Sequence, residues 1–180
     1  TPNGEHLFAV GTLVQMVKSF KMPDGNITAI LQGKRRFKIV EIISEEPFLK
    51  AKVEYLKDIK PPKSTEFRAL VQHIREMAMD IIQESPNIPT EAQIAVKNIE
   101  SDTFLIHFIA SNMNLDVEKK QAILEENNIE KRTNSVLKHI SYEKHLLEVK
   151  NDIANRVRTE FDQQQREYFL QQQMKTIQEE

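Results

Sequence analysis

The chain has 180 residues, 39% of them apolar and 29% charged, enough for one domain or two small ones joined by a stiff connector. Its formal net charge of −2, with acids and bases interspersed, argues against a general binder of nucleic acid or anionic membrane, and no apolar run approaches the length of a bilayer span. The absence of cysteine excludes disulfides and thiolate zinc sites and fits the cytosol, and the amino end has no basic-then-apolar signal pattern.

From Leu7 to about Ile59 the pattern is that of strands. Val10, Leu13, Val14, Val17 and Phe20 precede Pro23-Asp24-Gly25-Asn26, where Pro presets φ and Gly and Asn tolerate positive φ, a hairpin signal. Ile27, Ala29 and Leu31 alternate with their neighbours, and Phe37–Ile43 and Phe48–Tyr55 supply two more β-rich runs, parted at Glu45-Glu46-Pro47. In the last run Phe48, Lys50, Lys52 and Glu54 fall opposite Leu49, Ala51, Val53 and Tyr55, which predicts one wet and one buried face.

Pro61-Pro62 closes the β stretch, since neither residue donates to a ladder. Ser64 is placed to cap a helix with Glu66 in its first turn; Phe67, Leu70, Val71, Ile74, Met77, Ala78, Ile81 and Ile82 recur at helical spacing until Pro86. Shorter helices follow, from Pro89 or Thr90 to about Asn98, from Asp102 through Phe104, Leu105, Phe108 and Ile109, and a third capped by Asp116 that includes Val117 and Leu124. None persists alone, so they are expected to pack as a small bundle. Beyond Asn127 or Asn128 neither Gly nor Pro occurs, and one very long helix is predicted, with Asn127 and Glu130 as a capping box. Its apolar stripe is narrow: Val136, Ile140, Leu147, Val149, Ile153, Val157 and Phe161. So little apolar surface predicts a helix that projects from the bundle.

Three segments carry a family resemblance. Glu5-His6-Leu7-Phe8-Ala9-Val10-Gly11-Thr12, with Lys21-Met22-Pro23-Asp24-Gly25, resembles the motif of ATP-dependent Lon proteases in which YEVGT leads to LPDG. Gln32-Gly33-Lys34-Arg35-Arg36-Phe37 is similar to the family's EGLQRARI strand, and the run from Gln165 to Glu180 resembles QREYYLNEQMKAIQKEL, which leads into the ATPase module. The resemblance implies an α+β fold: a partial, PUA-like β-rich lobe at 1–60 missing its first strands, a small α-helical bundle at 61–127, and a long carboxy-terminal projecting helix at 128–180 leading to an AAA+ ATPase and a Ser-Lys protease absent from this sequence. A lobe without its first strands is expected to fray, rearrange or pair with a neighbour.

The resemblance further implies a non-catalytic substrate-recognition and assembly region of a cytoplasmic, hexameric ATP-dependent serine protease that degrades misfolded and short-lived regulatory proteins. ATP and Mg belong to the parent protein; none of the four glycines here lies in a phosphate loop, and no cofactor, metal or catalytic residue is assigned to this stretch. The expected partners are unfolded or degron-bearing proteins and other copies of the chain, with no membrane. The alternative is an oligomerisation scaffold, a coiled-coil spacer without direct substrate binding.

Tyr168, Phe169 and Met174 stand on a helix otherwise of Gln and charge. They are read either as packing against the ATPase module or a sister helix, or as adaptable contacts to unfolded segments. Phe8, Met16, Phe20 and Met22 lie near the amino-terminal motif as candidates to line a groove, although core packing is the expected fate of most. His107, between Ile106 and Phe108, reads as a packed or rim histidine, and no HExxH spacing occurs. Lys34-Arg35-Arg36 with Lys38 is the one basic cluster. Some Lon proteases resemble DNA binders, but strand alternation sends these side chains to both faces, and the plainer reading pairs Arg36 or Arg35 with Glu41.

Overall fold

The computed structural model describes residues 4–61, 64–85, 88–89 and 91–179, with side chains up to 175. Pro62, Pro86, Thr90, Glu180 and the side chain of Ile177 lie outside the described residues.

Strands β1 (Val10–Lys21), β2 (Ile27–Ser44) and β3 (Lys50–Tyr55) form an antiparallel meander in the order β1-β2-β3. The hairpin forms where the Pro-Asp-Gly-Asn signal places it. Gly25 takes φ +87, and the Asp24 carboxylate accepts from the backbone and side-chain amides of Asn26. The two runs expected between the turn and Glu45 are one 18-residue strand. Its register shifts against β1 at Leu13/Val14 and Met16/Lys18 and against β3 at Ile39/Glu41 and Ile42/Ser44, and each bulge resets the alternation. Gly11 faces Phe37 across the ladder, and a Cβ there would lie 2.8 Å from the ring.

The sheet is a bulged ladder that stays open: among the described residues it does not close, and β1 and β3 are its edges. The expected buried face of β3 is not formed, for Val53 and Tyr55 are exposed. Phe8, Met16, Phe20 and Met22 are exposed as well, so core packing is not their fate here. No second layer covers the sheet among the described residues, and alternation alone cannot supply one.

The buried core lies instead among the helices α1 (Thr65–Glu84), α2 (Glu91–Asn98), α3 (Asp102–Asn112), α4 (Val117–Glu125) and α5 (Ile129–Glu179). Helix α1 is capped by Ser64, whose side chain accepts from the Phe67 amide, and it buries Phe67, Val71, Ile74, Ala78, Ile81 and Ile82. Against it pack Leu105, Ile106 and Ile109 of α3 and Ile129, Val136 and Ile140 of α5. Arg75 reaches from α1 to donate to the Val96 and Ile99 carbonyls, satisfying the carbonyl end of α2. Lys144 of α5 pairs with Asp80 of α1 at 2.5 Å.

Two capping expectations change. Asp116 makes no side-chain cap bond and pairs with Lys119 instead. The cap of α5 is Asn128, whose Oδ1 accepts from the Lys131 amide at 3.0 Å, because Asn127 is engaged elsewhere. The bundle covers α5 only as far as Leu147; Val149, Ile153, Val157 and Phe161 are exposed, so the rest of the 51-residue helix projects.

Candidate functional site

Two features could serve recognition: apolar surface outside the core, and the joint that sets the sheet against the bundle. The five residues singled out from the sequence are all exposed, but they are not brought together. Phe8 precedes β1 and Met22 follows it, roughly 40 Å apart along a strand of that length. Tyr168, Phe169 and Met174 stand on the projecting part of α5. Tyr168 and Phe169, being consecutive, point about 100° apart around the helix. With Asp162, Gln165 and Arg166 they line a shallow surface depression. Apart from these, Met16, Val17, Ile30, Leu31, Val40 and Ile43 are exposed on the sheet, with Ile30 and Leu31 on opposite faces. Val17, Val40 and Ile43 stand at bulged positions. Singly scattered apolar residues are ordinary on a surface, but so many exposed ones on a sheet of three strands are unusual.

The joint was not legible as a unit in the sequence. Arg36 is buried and does not pair with Glu41. Its Nη2 donates to Asp58 Oδ1 at 2.5 Å and to Asn127 Oδ1 at 3.1 Å, while Nη1 donates to the Leu124 carbonyl. Arg132, 1% exposed at the start of α5, donates to the same Asp58 oxygen at 2.8 Å and to the Glu126 carbonyl. The carbonyls of Leu124 and Glu126 close α4, whose negative dipole end suits two cations. Ile59 completes the joint through its backbone, donating to the Asn127 carbonyl and accepting from the Ile129 amide. From α4, the Gln121 side chain donates to the Val10 carbonyl of β1.

Burial pushes the Asp58 carboxyl up, but the hydrogen bond and charge of Arg132, with those of Arg36, outweigh it and hold the group below its ordinary range. Burial, then repulsion by Arg132, lowers the Arg36 guanidinium despite the opposing Asp58. His107 stands 3.1 Å from Arg132 Nη1. Since arginine only donates, His107 Nε2 accepts there and the ring is neutral. Burial, then the Arg132 charge, lowers its pKa accordingly. The node therefore holds structure, and takes Arg36 out of any basic patch for nucleic acid. A signal for it existed: Arg132 and Thr133 fall between Ile129 and Val136 on the apolar side of α5, where a charge needs a partner.

Among the described residues no group of three His, Cys, Asp or Glu is placed to hold a metal ion, and no helix is long and apolar enough to cross a membrane.

Residues 1–141 match the family described as the ATP-dependent protease La (LON) substrate-binding domain. A Lon protease of Flavobacterium johnsoniae is 49% identical over 180 residues, covering 99% of this chain and 22% of that protein. One of Cytophaga hutchinsonii is 46% identical over the same shares. The chain thus spans about a fifth of the length of the curated relatives it matches. The N-terminal domain of a Mycobacterium avium complex Lon protease superposes with a TM-score of 0.62 at 16% identity, over 78% of this chain and 74% of that one. A Lon N-terminal domain protein from Xanthomonas campestris gives 0.52 at 17% identity, over 76% and 70%. At such identity the likeness is one of fold.

Proposed function

The chain belongs to the family of ATP-dependent protease La (Lon) substrate-binding domains, and from that premise we propose that it is the non-catalytic substrate-recognition and assembly region of an ATP-dependent serine protease. In this reading the parent enzyme is cytoplasmic and hexameric, degrades misfolded and short-lived regulatory proteins, and keeps ATP, Mg and the catalytic residues in other domains. Labour is divided along the chain: the lobe at 1–60 catches substrate, the bundle at 61–127 anchors it, and the helix at 128–180 sets its distance from the motor.

The observation that carries this reading is the apolar surface left outside a complete helical core, on the sheet and on the far helix. Recognition there is binding without chemistry. Phe8 and Met22 at the two ends of β1, and Tyr168, Phe169 and Met174 on α5, offer separate weak contacts to an extended unfolded segment. Met suits this because its flexible thioether adapts to many surfaces. Several copies in one ring multiply such contacts where one substrate spans two sites.

Fluorescence anisotropy with a reduced, alkylated protein tests it. Saturable binding is expected, weakened about tenfold by Phe8→Ala with Met22→Ala, or by Phe169→Ala with Met174→Ala, a loss of about 1.4 kcal/mol. The alternative, a scaffold without substrate contact, is favoured by the exposed length of α5. No binding by a chain that still self-associates would establish it in place of the first reading.

A further inference from the structure

The sheet is fastened to the bundle by polar groups. Among the described residues, no apolar side chain of β1, β2 or β3 joins the buried cluster of the helices. What crosses the joint is the Gln121 bond to the Val10 carbonyl, the two backbone bonds of Ile59, and the node of Arg36, Asp58 and Arg132. A small polar joint of this kind holds two bodies only while its donors, acceptors and charges match.

Whether they match turns on one ring. Arg36 of β2 and Arg132 of α5 bring two cations. Asp58, after β3, and Glu126, between α4 and α5, bring two carboxylates, the second acting on Arg36 through space. The half-buried His107 of α3 leaves this balance alone as long as it is neutral. Its Nε2 accepts from Arg132 Nη1 at 3.1 Å, so the one proton of the ring sits on Nδ1. Neighbouring cations are turned elsewhere, Arg75 of α1 to the Val96 and Ile99 carbonyls and Lys120 of α4 to the Ser111 carbonyl.

We propose that the joint is an acid-released latch, in which a proton on His107 Nε2 turns Arg132 off Asp58 and lets the sheet pivot about the Ile59 bridge while the bundle stays folded. A second proton on the ring goes to Nε2, since Nδ1 already carries one. There it sets N–H against N–H, and a hydrogen bond becomes a repulsion between two cations. Arg132 is 1% exposed, with Nε on the Glu126 carbonyl and Nη2 on Asp58, so it cannot retreat from the ring and keep both. Its withdrawal takes from Asp58 one of two guanidinium groups and loosens the hold of the carboxylate on Arg36. The backbone bonds of Ile59 carry no charge and remain. The pivot therefore falls at Lys57-Asp58, between the Leu56 bond to the Arg36 carbonyl and the Ile59 bridge. The bundle keeps its core, because Ile74, Leu105, Val136 and Ile140 have nothing for acid to change. Burial and the Arg132 charge resist a proton on the docked ring, so by linkage each proton taken up favours the open joint. The latch sets where the lobe stands relative to α5, whatever the lobe binds.

Hydrogen exchange of the full chain, read as protection after correction for the pH dependence of amide exchange itself, tests the latch. With the freed ring at its ordinary 6.5 and the docked ring still neutral, the ratio of open to docked joint rises about tenfold from roughly pH 7.5 to roughly pH 5.5. The amides of β1 to β3 are expected to lose protection by that factor, while those of α1 and α3 keep theirs. In His107→Gln, whose amide oxygen accepts the Arg132 N–H and takes no proton, the loss is expected to disappear. In His6→Gln, at an exposed position ahead of β1, it is expected to remain. In the unmodified chain the midpoint of the loss is expected to coincide with the titration of the His107 ring followed by NMR, a readout that depends on no variant folding. Equal loss in sheet and helices, protection indifferent to pH, a loss that persists in a folded His107→Gln chain, or a midpoint that follows another histidine would each overturn the proposal.

Discussion

Asp58 accepts from two guanidinium groups at one oxygen, 2.5 Å from Arg36 and 2.8 Å from Arg132, and His107 accepts on the far side of Arg132. Asp58 and His107 each hold a protonation state that acid would change. His107 is lowered below its ordinary 6.5, so the unfolded chain binds a proton there that the folded chain refuses. Stability therefore falls as pH drops below 6.5, and stops falling from this cause once the folded ring also protonates. Asp58 is lowered below its ordinary 3.8, and its contribution is lost only in stronger acid, as pH falls through the folded value. Urea midpoints across mildly acidic pH are expected to rise with pH in the parent chain. In His107→Gln, whose amide oxygen can accept the same Arg132 N–H, the slope attributable to the imidazole is expected to vanish. At this scale the sequence was legible in part. The turn at Asp24-Gly25 and the cap at Ser64 involve neighbours in the chain, but Arg36 meets Asp58 and Leu124 across 22 and 88 residues, and no local pattern names such partners.

Among the elements, α5 is two helices in energetic terms. Its first five turns bury Val136 and Ile140 against α1, and from Asp152 to Lys175 its side chains are exposed to solvent. Ile140→Ala is expected to cost about 2–4 kcal/mol through lost burial and a residual cavity. Ile153→Ala, at an exposed position, should change stability by less than about 0.5 kcal/mol. Chemical denaturation of the two variants checks the contrast. The five helices were readable because a 3.6-residue apolar period survives wherever one face is buried. The length of β2 was not. Its bulges interrupt the two-residue alternation, so the apolar pattern gave separate runs on either side of Gly33–Arg36 where the ladder continues. The exposed faces of the sheet were misread for a related reason: alternation reports which side chains share a face, and says nothing about what covers it.

For the whole molecule, the sheet has a ladder but almost no core of its own, since its one buried side chain is Arg36. Its position against the bundle depends on the Arg36–Asp58–Arg132 node, the Ile59 backbone bonds and the Gln121 contact. Asp58→Asn leaves two close guanidinium groups without their carboxylate. It is expected to cost about 2–3 kcal/mol. The loss should appear unevenly in hydrogen exchange, with amides of β1 to β3 exchanging faster while those of α1 and α3 hold.

The uninterrupted run of α5 past Leu147 has one more consequence. Because no Gly, Pro or break intervenes, the bundle and the far end turn as one crankshaft, and the number of residues between them fixes their relative azimuth. Adding a single alanine after Leu147 would lengthen the shaft by only about 1.5 Å yet swing everything beyond it through about 100°. The spacing of this helix is thus an angular setting, and its composition could change freely long before its residue count could change by one.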